Sequence, residues 1–429
     1  MQLSIRRFSF LLLAVLGWAQ QGVFAADAAP PPNAALVQRG AYLAVAGDCM
    51  ACHSTAKGAA YAGGLPLQIP LLGTLYSSNI TPDAQTGIGR WTLADFDRAL
   101  RKGVSKDGHS LYPAMPYVSY AKTSDDDVAA LYAYFMHGVA PVAQPQRASS
   151  IPWPLNMRWP LAIWNMLFLP DRPYQPQANQ NAEWNRGAYL VQGLAHCGTC
   201  HTPRGVAMQE KSLDEKTPGF LSGAKLAGWD AYNITPHAQS GIGSWTPAQL
   251  AQYLQTGNVP GVGSAAGPMG EAVEHSFSHL APGDIRAITT YLRSVPAVGD
   301  SQARPRNAWG TVASDVTQLR GVAPQAGLDP ARLYLGNCAS CHQAQGTGTG
   351  GGYYPSLLHN STLGAADASN LVQVILHGVQ RTTPASNVLM PGFATALSDA
   401  QVAALANYLT QQFGNPAAKV SESDVKKLR

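Results

Sequence analysis

Cys197-Gly198-Thr199-Cys200-His201 decides how this chain folds, and it has two echoes, Cys49-Met50-Ala51-Cys52-His53 and Cys338-Ala339-Ser340-Cys341-His342. Cys-x-x-Cys-His is the attachment signature of a c-type haem: two thiols bond to the vinyl groups, and the adjacent imidazole ligates the iron. One such run also fits a redox dithiol or half of a zinc site. Three copies that use all six cysteines of the chain argue for three haems. A zinc ribbon would need Cys-x-x-Cys pairs converging on one ion, which motifs spaced 148 and 141 residues apart do not suggest.

Working outward, each motif sits in a repeat. Arg39-Gly40-Ala41-Tyr42-Leu43 precedes the first and Arg186-Gly187-Ala188-Tyr189-Leu190 the second, both as short helices whose glycine lets another helix approach closely. Pro330-Ala331-Arg332-Leu333-Tyr334-Leu335 is a looser third copy with Ala in place of Gly. The run Asn79-Ile80-Thr81-Pro82 to Trp91-Thr92 recurs at Asn233-Ile234-Thr235-Pro236 to Trp245-Thr246, offset by 154 residues. The third repeat lacks this insert. Helical periodicity then predicts closing helices over 124–138, 282–294 and 398–413. Ser124 with Asp127 and Ser398 with Gln401 read as capping boxes. Tyr134, Tyr291 and Tyr408 fall at matching places and read as core aromatics.

A second axial ligand is needed for a closed, six-coordinate iron, and a methionine thioether raises its potential. Met115, Met269 and Met390 stand at matched positions, each in a proline-stiffened loop between its motif and its closing helix. The expected iron ligands are therefore His53 and Met115, His201 and Met269, His342 and Met390. The expected haem-attaching residues are Cys49, Cys52, Cys197, Cys200, Cys338 and Cys341. His275 and His279 are alternatives to Met269, and His109 to Met115. His137, His196, His237, His359 and His377 read as structural or surface groups. The glycine run 346–352 reads as a flexible loop, since it follows a haem motif and no strand. With no dinucleotide fingerprint, Ser-His-Asp grouping or carboxylate pair, the chain reads as an electron carrier with no catalytic residue of its own.

The ends and linkers complete the plan. Residues 1–25 read as a signal peptide, with Arg6 and Arg7 before an apolar stretch and Val23-Phe24-Ala25 at the cleavage point. Export puts the mature chain in the periplasm. Cytochrome c domains are expected over 34–147, 183–300 and 328–415, with linkers 148–182 and 301–327 and a tail 416–429. The segment Ile151 to Pro170 is apolar and Trp-rich, and its four prolines rule out a spanning helix. It reads as a linker packed across two domains, or as a patch touching lipid or a partner. Formal charge is +4, falling to +2 without the signal peptide, and haem propionates lower it further. No basic run supports nucleic-acid binding.

These motifs together resemble the triheme cytochrome c subunits of bacterial membrane-bound dehydrogenases. The likeness is carried by Asn79-Ile80-Thr81-Pro82, Leu111 to Tyr117, Arg186 to Leu190 and His196 to Arg204. Within that family, Ile151 to Trp164, Met208 to Lys211 and Phe220 to Gly223 are most similar to the gluconate 2-dehydrogenase cytochrome subunit. The resemblance implies an all-α fold of three tandem class I cytochrome c domains, each wrapped around one covalent haem. It implies a flavoprotein or quinoprotein dehydrogenase subunit as electron donor, and a small third subunit. It also implies ubiquinone as acceptor and peripheral attachment at the periplasmic face of the inner membrane. The competing readings are a cytochrome module of a respiratory oxidase and a peroxidase-like haem enzyme, which needs an open iron.

Overall fold

The structure, a computed structural model, describes residues 33–69, 72–301, 304–312, 327–350 and 352–429. The expected signal peptide and most of the second linker lie outside the described residues.

Three helix pairs organise the chain. The opening helices are Ala34–Ala46, Ala182–Gln192 and Pro330–Asn337; they pack on the closing helices Asp125–His137, Pro282–Leu292 and Asp399–Phe413. At the first crossing a Cβ on Gly40 would lie 1.9 Å from the Ala130 carbonyl oxygen, and at the second one on Gly187 would lie 2.0 Å from that of Ala287. Backbones therefore meet at the crossing, which only glycine permits. The third pair meets through rings instead, with Tyr334 centred 5.8 Å from Tyr408 and 5.3 Å from Phe413.

Each motif forms a short helical turn directly after its opening helix. In the first two units an antiparallel hairpin follows, pairing Pro66–Ile69 with Gly73–Tyr76 and Ala224–Leu226 with Trp229–Ala231. In the third, a hairpin of Val379–Thr383 and Ser386–Met390 stands before the closing helix. The first two units share one continuous hydrophobic core, in which Leu43, Leu131 and Phe135 join Leu190, Ile288 and Tyr291; the third has its own.

Ser124 caps its helix by accepting from the Asp127 N–H, but Asp127 does not complete a box; its carboxylate takes Arg39 at 2.5 Å and the Tyr189 hydroxyl at 2.6 Å. Ser398 and Gln401 do form the full box. The tail forms a helix, Glu422–Leu428, that buries Val425 against the third unit. Trp159–Phe168, read as an interrupted linker, is a ten-residue helix because Pro160 falls in its first turn, where a missing N–H costs nothing.

Candidate functional site

In all three motifs the histidine is held the same way. Nδ1 of His53 bonds the Ser78 carbonyl at 2.7 Å, that of His201 the Tyr232 carbonyl at 2.6 Å, and that of His342 the Pro355 carbonyl at 2.8 Å. A carbonyl only accepts, so Nδ1 carries the proton and Nε2 keeps its lone pair for a metal. Burial pushes all three imidazoles below their ordinary range, which keeps them neutral.

The histidine backbones repeat the pattern. The carbonyls of His53, His201 and His342 accept from the N–H of Gly63, Gly223 and Gly348, at 2.7, 2.7 and 3.0 Å. These glycines have φ of 74°, 99° and 67°, a region that other residues rarely enter. A Cβ on Gly63 would lie 2.4 Å from the Ser78 carbonyl carbon. Sequence reasoning missed them because they follow their histidines at three different distances. Gly348 belongs to the run read as a flexible loop; with Gly346 against the Phe413 ring and its carbonyl bonded by the Leu357 N–H, that loop is tied to the motif.

The Asn-Ile-Thr-Pro repeat also acquires a purpose. Asn79 immediately follows Ser78; its amide bonds the Val142 carbonyl, and its Oδ1 takes the Thr81 N–H and hydroxyl. Asn233, after Tyr232, does the same with Val298 and Thr235. The repeat braces the carbonyl that orients the histidine. Its recurrence was the signal, but only the fold ties it to the imidazole.

Burial pushes the thiols of Cys49 and Cys197 up to about 12 and that of Cys338 up to about 11. They therefore lack the lowered thiol pKa of a redox dithiol. All six cysteines are free, and among the described residues no three His, Cys, Asp or Glu side chains gather as a metal site. Two thiols beside an imidazole with a free Nε2 fit covalent attachment of haem.

The methionines are placed differently from one another. Met115 lies in the turn between Tyr112 and Tyr117, as expected. Met269 is in the first turn of the helix Gly267–His275, and Met390 ends the last hairpin strand; neither is in the expected loop. The Met269 helix packs on the first motif's turn and on the third unit's hairpin. The thiol of Cys52 is within electrostatic reach of Glu271 on that helix and of Cys200. The first two motifs are thus neighbours. Of the alternative ligands, His109 faces solvent against Asp107 at 2.6 Å, and His279 bonds the Glu274 carbonyl at 3.0 Å.

A family model described as cytochrome c matches residues 37–138 and 329–412, on either side of the second motif. The chain is 45% identical to the gluconate 2-dehydrogenase cytochrome c subunit of Pantoea cypripedii, over 98% of this chain and 94% of the relative. It is 43% identical to the fructose dehydrogenase cytochrome subunit of Gluconobacter japonicus, over 97% of this chain and 88% of the relative. It is also 43% identical to the cytochrome c subunit of the quinone alcohol dehydrogenase of Gluconacetobacter polyoxogenes, over 93% and 85%.

Proposed function

The chain belongs to the cytochrome c family, among the cytochrome c subunits of dehydrogenases, and from that premise we propose that it carries electrons through three haems from a membrane-bound dehydrogenase to ubiquinone. The observation that carries this reading is the threefold recurrence of one arrangement: two thiols, a carbonyl-held imidazole and a glycine N–H on the histidine carbonyl. Cys49 and Cys52, Cys197 and Cys200, and Cys338 and Cys341 are the attachment points. His53 and Met115, His201 and Met269, and His342 and Met390 would hold the three irons.

A c-type haem, when bound, supplies a one-electron iron couple whose potential a thioether ligand raises. The chain's residues set its surroundings. Ser78, Tyr232 and Pro355 fix the imidazole tautomer, and the braced backbone limits movement between oxidation states. The donor is a flavoprotein subunit like that implied by gluconate 2-dehydrogenase, with a small third subunit completing the complex. The site is the periplasmic face of the inner membrane, reached with the signal peptide. The Trp-rich segment 151–170 provides peripheral attachment.

The test uses membranes from cells with and without this gene, monitored at the reduced haem c band. Reduction by gluconate that depends on the gene supports the reading. Gene-dependent reduction only by an alcohol, an aldehyde or fructose moves the chain to a different partner, a quinoprotein for the alcohol. No gene-dependent reduction by any of them refutes it.

A further inference from the structure

Two arginines from outside the second unit's helical core pack against it, Arg381 fully buried and Arg306 partly buried. Arg381, on the third unit's hairpin, is 1% exposed, and its guanidinium lies over Gly257, where a Cβ would come within 2.6 Å of Cζ. Its Nη1 donates to the Ala265 carbonyl, just before the Met269 helix. Arg306 comes from the segment leading to the third unit. It lies 4.5 Å from the centre of the Tyr232 ring, and its Nη1 donates to the Ser240 carbonyl at 2.6 Å. Both have a buried Nε without a partner, and neither makes an ion pair among the described residues. The groups facing them are Tyr253, which both reach, with Tyr232 and His201 beside Arg306 and Glu274 beside Arg381.

A desolvated guanidinium with no paired carboxylate is unfavourable, and both of these reach one tyrosine, Tyr253. One packs on the residue whose carbonyl holds His201; the other packs beside the helix that carries Met269. A group held by His201 and Met269 would therefore lie between an element that Arg306 touches and one that Arg381 touches. Resting on the reading that Cys197 and Cys200 carry a haem, we propose that Arg306 and Arg381 clamp the two propionates of that haem. The third unit and its linker thereby complete the second haem site and hold its potential up.

The test is a potentiometric titration of the purified holoprotein, with haem counted per chain. In Arg306→Gln and in Arg381→Gln the same one of three components moves down. The equilibrium constant for its reduction falls roughly tenfold, ~59 mV for one electron, as expected for removing a charge at ~10 Å with an effective dielectric near 20. Met269→Leu shifts that same component. Arg306→Lys and Arg381→Lys keep the charge and retain most of the potential. Haem loss in the Gln variants but not in the Lys variants also supports the clamp. Unmoved components with three haems present overturn it, as do equal shifts in all three or equal effects of Gln and Lys. A wild-type chain with fewer than three haems refutes the underlying three-haem reading instead.

Discussion

Asp48 stands one residue before the first haem-attaching cysteine, in a left-handed conformation with φ of 51°, and its Oδ1 is buried without a partner. Burial, and then the charge of Glu271, push its carboxyl from 3.8 up to about 8. The sign of the consequence follows from proton counting. The unfolded chain releases this proton near pH 4 and the folded one near pH 8. Between the two the folded state binds more protons, so stability falls as pH rises through that window. Asparagine keeps the shape and cannot ionise. Asp48→Asn should therefore be stabilising, negligibly at pH 4 and by up to about 5 kcal/mol at pH 8.5. Denaturant midpoints at both values check this; a gain that does not grow with pH would show that the carboxyl is hydrated. At this scale the six cysteines and three histidines were legible because their spacing is the chemistry. The carbonyls of Ser78, Tyr232 and Pro355 were not, since any residue can supply a carbonyl.

The Arg-Gly-Ala-Tyr runs show what an element does beyond packing. Gly40 and Gly187 were readable as points of close approach, and each meets the carbonyl of its closing helix. The flanking residues were not readable, because their partners are far away in the chain. Arg39 pairs with Asp127 and Arg186 with Asp284 inside their own units, while each tyrosine crosses over. The Tyr42 hydroxyl donates to Asp284 at 2.6 Å, and the Tyr189 hydroxyl donates to Asp127 at the same distance. The first two units are thus joined by a reciprocal exchange, which explains their common core. The third cannot take part, since Tyr334 donates to Gln343 within its own unit. Asp284 accepts two bonds from Arg186 as well as the tyrosine's, and its side chain is only 14% exposed. Asp284→Ala leaves a partly buried guanidinium unpaired and should cost about 2–3 kcal/mol, below the full penalty of a buried pair because Arg186 is partly hydrated. Tyr42→Phe should cost about 1 kcal/mol. Urea unfolding that shows both variants equally stable to wild type would remove the exchange from the account of how the units are held.

Over the whole molecule, the largest departure from an ordinary surface is the segment between the first two units. Its apolar, proline-broken composition was legible, but its helix and its two faces come from contacts distant in sequence. One face is anchored. Asn165 accepts from the Tyr117 hydroxyl at 2.8 Å, the Leu155 carbonyl accepts from Tyr112, and the Arg158 guanidinium lies 4.0 Å from the Tyr112 ring centre. The other face is bare: Trp153 is 78% exposed, Trp159 65%, Met166 76% and Leu167 64%. The Trp164 indole donates to the Ala207 carbonyl, which brings exposed Val206 and Met208 beside them. So much contiguous apolar surface is unfavourable in water, and tryptophans favour the boundary between water and lipid. Among the described residues no helix is long and apolar enough to cross a membrane, so attachment through this face would be interfacial. Trp159→Ser combined with Leu167→Ser leaves Tyr112, Tyr117 and their partners untouched. The purified variant should lose at least tenfold in affinity for phosphatidylethanolamine–phosphatidylglycerol vesicles, measured by flotation, while its haem spectrum stays that of wild type. Equal vesicle binding by both proteins would place the attachment elsewhere. If instead neither binds vesicles and only the variant fails to co-purify with the dehydrogenase, the face is where the partner subunit sits.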